Sequence, residues 1–280
     1  MPGAESGSHG APAVLNLFQP ALRKSLASTT VLKAMLGGSV FADVTGPARP
    51  DVLALHGWGR TRADLAPAVA ERSALLVDLP GFGASPPPAD AWGSADYARL
   101  LAPLLDDGQP WTVLGHSFGG RVAVQLALLR PERVAGLVLT GVPLLRSGGG
   151  GRTPAPYRLA RALHARRLLS EPRMERLRQR YGSADYRAVS GVMRSTLVRV
   201  VNEDCRSVLP QLRCPVELVW GALDTAAPLA MAEQASRLLP AAELHVSPRS
   251  GHLLDAPLIG LLQDRLAVQR RTGPGPSTGC

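Results

Sequence analysis

One serine, one histidine and one aspartate have the types and local settings for nucleophilic acyl transfer. Ser117 lies in Gly115-His116-Ser117-Phe118-Gly119, directly after the apolar run Trp111-Thr112-Val113-Leu114. Thr112–Leu114 is short, branched and apolar, so it reads as a buried strand. Phe118–Leu129 has the length and pattern of a helix that Pro131 punctuates. The spacing predicts a sharp strand-to-helix turn that lifts the Ser117 hydroxyl above the sheet edge, with Gly115 and Gly119 leaving room for close backbones. Phe118 then offers its N–H at a helix N-terminus, where donors are unpaired and the dipole favours an oxyanion. The plain structural alternative is a helix N-cap serine.

A serine hydroxyl needs a base, and the base needs an orienting acid. Of the six histidines, His9 lies in a Gly/Ser-rich leader and His164 in an arginine-rich helical stretch. His116 adjoins the serine and must point elsewhere. His245 falls in an alternating strand and reads as structural. His56 follows the strand Val52–Leu55. His252, in the glycine-containing loop Ser247–His252 before the last helix, is the candidate base. Asp224, in the loop after the strand Val216–Trp220, is the candidate acid. Asp255 is too near His252 in sequence, and Asp204 reads as part of a helix. The order Ser117, Asp224, His252 is the nucleophile–acid–histidine order of α/β-hydrolases.

With these residues in place, the chain resembles a small esterase-like α/β-hydrolase over most of residues 39–269. The likeness also rests on His56-Gly57-Trp58-Gly59 and on Val77-Asp78-Leu79-Pro80-Gly81-Phe82-Gly83-Ala84-Ser85. It implies that the backbone N–H of Trp58 is the second oxyanion donor beside Phe118, and that Val77–Ser85 is a structural strand and turn. The same two motifs resemble the carboxylesterases that demethylate pimeloyl carrier esters, a group that commonly has tryptophan where this chain has His116. A serine nucleophile speaks against dehalogenase and epoxide-hydrolase chemistry, which use aspartate on this fold.

The elements that must hold these groups follow from punctuation. Strands are expected at Ser39–Val44, Val52–Leu55, Ala74–Asp78, Thr112–Leu114, Val134–Thr140, Val216–Trp220 and Glu243–Val246, with helical patterns between several of them. That rhythm predicts an α/β fold, a mostly parallel sheet with helices on both faces. Residues 1–38 read as a leader with a possible helix over Asn16–Leu36, 39–143 and 211–269 as two parts of the core, and 270–280 as a disordered tail. Residues 144–210 read as an inserted helical cap, entered through the hinge-like run Ser147-Gly148-Gly149-Gly150-Gly151.

The chain has 280 residues, 45% of them hydrophobic, which suffices for one core with an insertion. It lacks a run of about 18 apolar residues and a signal-peptide pattern at its start, so the expected compartment is the cytoplasm. Cys205, Cys214 and Cys280 have neither disulfide-framework nor zinc spacing. No metal or cofactor is expected. Residues 146–213 hold 15 arginines against two aspartates and three glutamates, a net +10, while the whole chain carries +9. Such a cap could steer an anionic or carrier-bound substrate, or be a solvated face in a chain where arginine outnumbers lysine 29 to 2. Few aromatics accompany it, so nucleic acid is not expected as a partner. The expected substrate is a small carboxylic ester or thioester. Carbon–carbon bond hydrolysis or elimination by the same triad, or ligand reception on a hydrolase fold, are the alternatives.

Overall fold

Eight strands form one sheet: β1 (Leu32–Met35), β2 (Val40–Thr45), β3 (Val52–Leu55), β4 (Ala74–Asp78), β5 (Trp111–His116), β6 (Val134–Thr140), β7 (Val216–Gly221) and β8 (Ala242–Ser247), in the order β1-β2-β4-β3-β5-β6-β7-β8. β2 is antiparallel to both β1 and β4. The pairings from β4 through β8 are all parallel. The computed structural model describes residues 32–146, 155–181 and 184–272.

Every residue of β3, β4 and β5 is buried, as expected of parallel strands covered on both faces. One face packs on α1 (Ser94–Leu101), α2 (Phe118–Leu129) and, beyond the insertion described below, α7 (Leu229–Leu238). Tyr97, Val122, Leu126 and Ala232 enter that core. The opposite face is covered by the turn Pro67–Val69 and by the last helix, Ala256–Thr272. That helix presents Leu258, Leu262 and Leu266 to Val52, Ala54 and Val219, a one-turn spacing that places all three on one side.

Between β6 and β7 the chain leaves the sheet and forms α3 (Ala155–Ala165), α4 (Glu171–Tyr181), α5 (Ala184–Ala188) and α6 (Gly191–Val201); α7 follows β7, and α8 is the last helix. The run Ser147–Gly151 lies outside the described residues. Arg166, Arg167, Arg173 and Arg176 are exposed. Others are committed to acids: Arg178 to Glu171, Arg194 to Glu175, and Arg199 to Asp96 at 3.2 Å.

Three expectations are corrected. Leu32–Met35 is a strand, not the end of a helix begun at Asn16. Gly37 and Gly38 take φ of 67° and 85° and fold it back onto β2 as a hairpin, a turn signal stronger than the mixed apolar spacing before it. Residues 16–31 lie outside the described residues. Residues 270–272 are not a disordered tail but the final turn of α8, because the stop signal is Gly273-Pro274 rather than Thr272. Asp204 is in a loop beyond α6, where its carboxylate accepts the Arg206 N–H at 2.8 Å, the side-chain-to-backbone turn that aspartate favours over helix.

Candidate active site

β5 runs straight into Ser117, and α2 begins at the next residue. Ser117 takes φ 50° and ψ −115°, a conformation that costs a non-glycine residue on the order of 1–3 kcal/mol. The turn closes so tightly that its glycines are obligatory. A Cβ on Gly119 would stand 2.1 Å from the Leu55 carbonyl oxygen, and one on Gly115 would stand 2.4 Å from the Gly120 Cα. The Ser117 N–H donates to the Thr140 carbonyl at 2.9 Å, which anchors the turn to β6.

The loops after β7 and β8 bring the other two residues to this turn. His252 Nε2 lies 3.2 Å from Ser117 Oγ, and His252 Nδ1 lies 2.8 Å from Asp224 Oδ2. The second Asp224 oxygen accepts the N–H groups of Ala226 and Ala227, each at 2.8 Å. Asp224 is buried, while the His252 side chain keeps 26% exposure. Proton transfer from serine to imidazole needs this arrangement, with a fixed acid behind the ring and the far nitrogen on the hydroxyl. Gly141, with φ 57°, lets the end of β6 pass the pair, since its Cβ would stand 3.1 Å from His252 Nδ1.

Trp58 and Phe118 line the same cavity of about 580 Å³ as Ser117 and His252. Their rings meet edge-to-face at 5.4 Å, and Phe82 closes on Trp58 at 4.9 Å. The loop carrying Trp58 is pinned by His56, whose Nδ1–H donates to the Gly57 carbonyl at 2.7 Å while Nε2 accepts the Leu79 N–H at 3.0 Å. Burial lowers the His56 pKa, which keeps it in that neutral, two-handed state. The Val77–Ser85 segment buttresses this loop. The fully buried Asp78 accepts the N–H groups of Arg62 and Ala84 at 2.8 Å each, as well as the Arg62 guanidinium.

The remaining histidines and acids sort themselves by partner. His245 Nε2 meets Glu217 across the β7–β8 pairing at 2.6 Å. His164 pairs with Glu171 at 2.9 Å. Asp255 accepts the Leu258 N–H at 3.0 Å and so caps α8. His9 and Cys280 lie outside the described residues. Burial raises the thiol pKa of both Cys205 and Cys214 to about 11, which keeps them protonated at neutral pH.

The partners of two buried residues beside Ser117 were not foreseen from the sequence. Arg121, one turn after Ser117 on α2, is almost wholly buried on the cavity wall. Its Nη1 donates to the carbonyls of Val200 at 2.6 Å and Glu203 at 3.1 Å. A lone charge in a helical run that is otherwise apolar but for Gln125 was the available signal. His116 points to the backbone of His252, at 3.0 Å, a partner that no local pattern announces. No helix among the described residues is long and apolar enough to cross a membrane.

The family model described as alpha/beta hydrolase matches residues 52–259. A pimeloyl-[acyl-carrier protein] methyl ester esterase of Aromatoleum aromaticum is 32% identical over 235 residues, covering 73% of this chain and 91% of that protein. A 2-hydroxy-6-oxononadienedioate/2-hydroxy-6-oxononatrienedioate hydrolase of Cupriavidus pinatubonensis is 29% identical over 244 residues, covering 74% and 82%. Among solved structures, an esterase from Exiguobacterium antarcticum has the same fold, with a TM-score of 0.63 at 21% identity over 83% of this chain and 96% of that one. By motif order, sheet topology and a match over most of its length, this chain belongs to the alpha/beta hydrolase family.

Proposed function

We propose that the protein is a serine hydrolase that cleaves a carboxylic ester or thioester through an acyl-enzyme on Ser117. The observation that carries this reading is the unbroken run of contacts from Ser117 Oγ to His252 to Asp224. His252 takes the hydroxyl proton as Ser117 attacks the carbonyl carbon, and Asp224 holds the ring with Nε2 free to accept it. The backbone N–H groups of Trp58 and Phe118 receive the oxyanion; one such donor is worth about 3 kcal/mol in comparable sites. The alcohol or thiol leaves with the proton from His252. Water, deprotonated by the same nitrogen, then releases the acid and frees the serine.

The likeness to the Aromatoleum aromaticum pimeloyl-[acyl-carrier protein] methyl ester esterase makes methyl esters of carrier-bound acyl groups the first substrates to try. The exposed Arg166 and Arg167, just beyond α3, and Arg173 and Arg176 on α4 add attraction for an acidic carrier. The Cupriavidus pinatubonensis relative favours a second reading, hydrolysis of a carbon–carbon bond in a vinylogous diketone by the same triad.

A panel of methyl esters, acyl thioesters and one such diketone, read by product mass, separates these readings, because each releases a different second fragment. Turnover of an ester or thioester that disappears in Ser117→Ala supports the reading. Cleavage of the diketone alone moves it to the second. Saturable binding without turnover of any of them would overturn both.

A further inference from the structure

The segment Gly251–Leu254 carries the candidate base, yet among the described residues it has almost no backbone anchorage. Its hydrogen bonds are those of His252 alone: the ring to Asp224 and Ser117, and the carbonyl oxygen to His116. The two ring contacts must change during turnover, as the imidazole gains and loses its proton. The carbonyl contact is the fixed one.

A carbonyl oxygen only accepts, so the proton of the neutral His116 ring belongs on Nε2, and Nδ1 is bare. That bare nitrogen is buried and meets no donor among the described residues. It faces Gly57, where a Cβ would stand 3.0 Å from it. An unpaired buried acceptor costs about 1–3 kcal/mol, a cost that an apolar side chain of similar size would avoid. Retaining it beside the nucleophile calls for a reason. His116 closes β5 immediately before Ser117, and its bond spans 136 residues to the other side of the site. Nucleophile and base are thereby referenced to one rigid strand end.

We propose that His116 is a positioning residue, whose Nε2–H bond to the His252 carbonyl sets the distance from which His252 serves Ser117. This inference rests on the serine-hydrolase reading above. Burial, followed by the neighbouring His252, pushes the His116 pKa down to about 4, so the ring stays neutral where His252 must carry the charge.

Hydrolysis of p-nitrophenyl butyrate by His116→Phe and His116→Gln, with melting curves for both, tests it. Phe fills the space without a donor; the Gln side-chain amide reaches the Nε2 position and donates. The phenylalanine variant should lose about 10- to 100-fold in kcat, the scale of a misplacement near 1 Å, with KM within about twofold. Gln should recover most of the loss. A phenylalanine variant with wild-type kcat, or a folded glutamine variant as slow as phenylalanine, would overturn the proposal. Nitrogen NMR of the ¹⁵N-histidine-labelled wild-type protein decides independently of any variant. Protonated Nε2 with bare Nδ1 on His116 is expected, and the opposite tautomer cannot make the bond. A wild type inactive on esters but with the expected tautomer would count against the hydrolase reading and, because the inference rests on it, against the positioning role too. An active wild type indifferent to His116 would count against the positioning role alone.

Discussion

Asp224 holds His252 with one oxygen and its own loop with the other: Oδ2 stands 2.8 Å from Nδ1, and Oδ1 takes two backbone N–H groups. Ring and loop are thus fixed by one buried carboxylate. Asp224→Asn can keep the loop bonds through its amide oxygen but presents an N–H to Nδ1, which turns the imidazole into the wrong tautomer. The expected loss in kcat is about 10³- to 10⁴-fold with little change in fold, by analogy with the same change in a serine protease triad. Steady-state kinetics beside circular dichroism checks it. A folded variant within tenfold of wild type would remove Asp224 from the mechanism.

Gly119 tests the geometry of the turn. A methyl group there meets the Leu55 carbonyl oxygen of a central strand at 2.1 Å, and neither backbone can yield cheaply. Gly119→Ala should destabilise the protein by about 3 kcal/mol or more, read as the shift of the urea midpoint. An unchanged midpoint would mean that the strand and the turn are not packed as described.

How much of this was legible beforehand depended on the range of the interaction involved. β3, β4 and β6 were read to their observed ends because continuous burial demands continuous apolar sequence. The turn at Ser117 was legible because its close contacts admit only glycine at two positions. β1 was not, since four residues of an edge strand carry no periodicity of their own and the signal lay in the glycines after it. Arg121, and the partner of a His116 read only as pointing away from Ser117, were missed for another reason. Each is bonded to a backbone carbonyl from a distant segment, 79 and 136 residues away, and backbone acceptors leave no trace in side-chain identity.

Arg121 should matter for stability as well as for the shape of the cavity wall. Its removal takes the guanidinium bonds from the Val200 and Glu203 carbonyls where α6 returns to the core, leaving Val200 the Glu203 N–H at 3.1 Å. Arg121→Met, which keeps much of the apolar stem, should cost about 2 kcal/mol, measured by chemical denaturation. A cost below about 0.5 kcal/mol would show that those carbonyls find other partners.

The buried histidines also predict an acid-sensitive fold. His116 has an ordinary pKa of 6.5 and a folded value of about 4. Between these the unfolded chain binds more protons, so stability rises with pH across that window. The contribution is complete above pH 6.5 and is lost as pH falls through about 4; a shift of this size is on the order of 3 kcal/mol. His56, also lowered by burial, acts in the same direction. Melting temperatures between pH 4 and 7 should fall on acidification, and less steeply in His116→Gln. Identical slopes in the two proteins would contradict a buried neutral His116.

The reactivity of Ser117 is open to one direct measurement. The wild-type protein, Ser117→Ala and His252→Ala are each incubated with a fluorophosphonate and read by intact mass and peptide mapping. One adduct on Ser117 in the wild type, with both variants resistant, is the expected result. A folded wild type that stays unlabelled, or labels elsewhere, would contradict a serine nucleophile activated by His252.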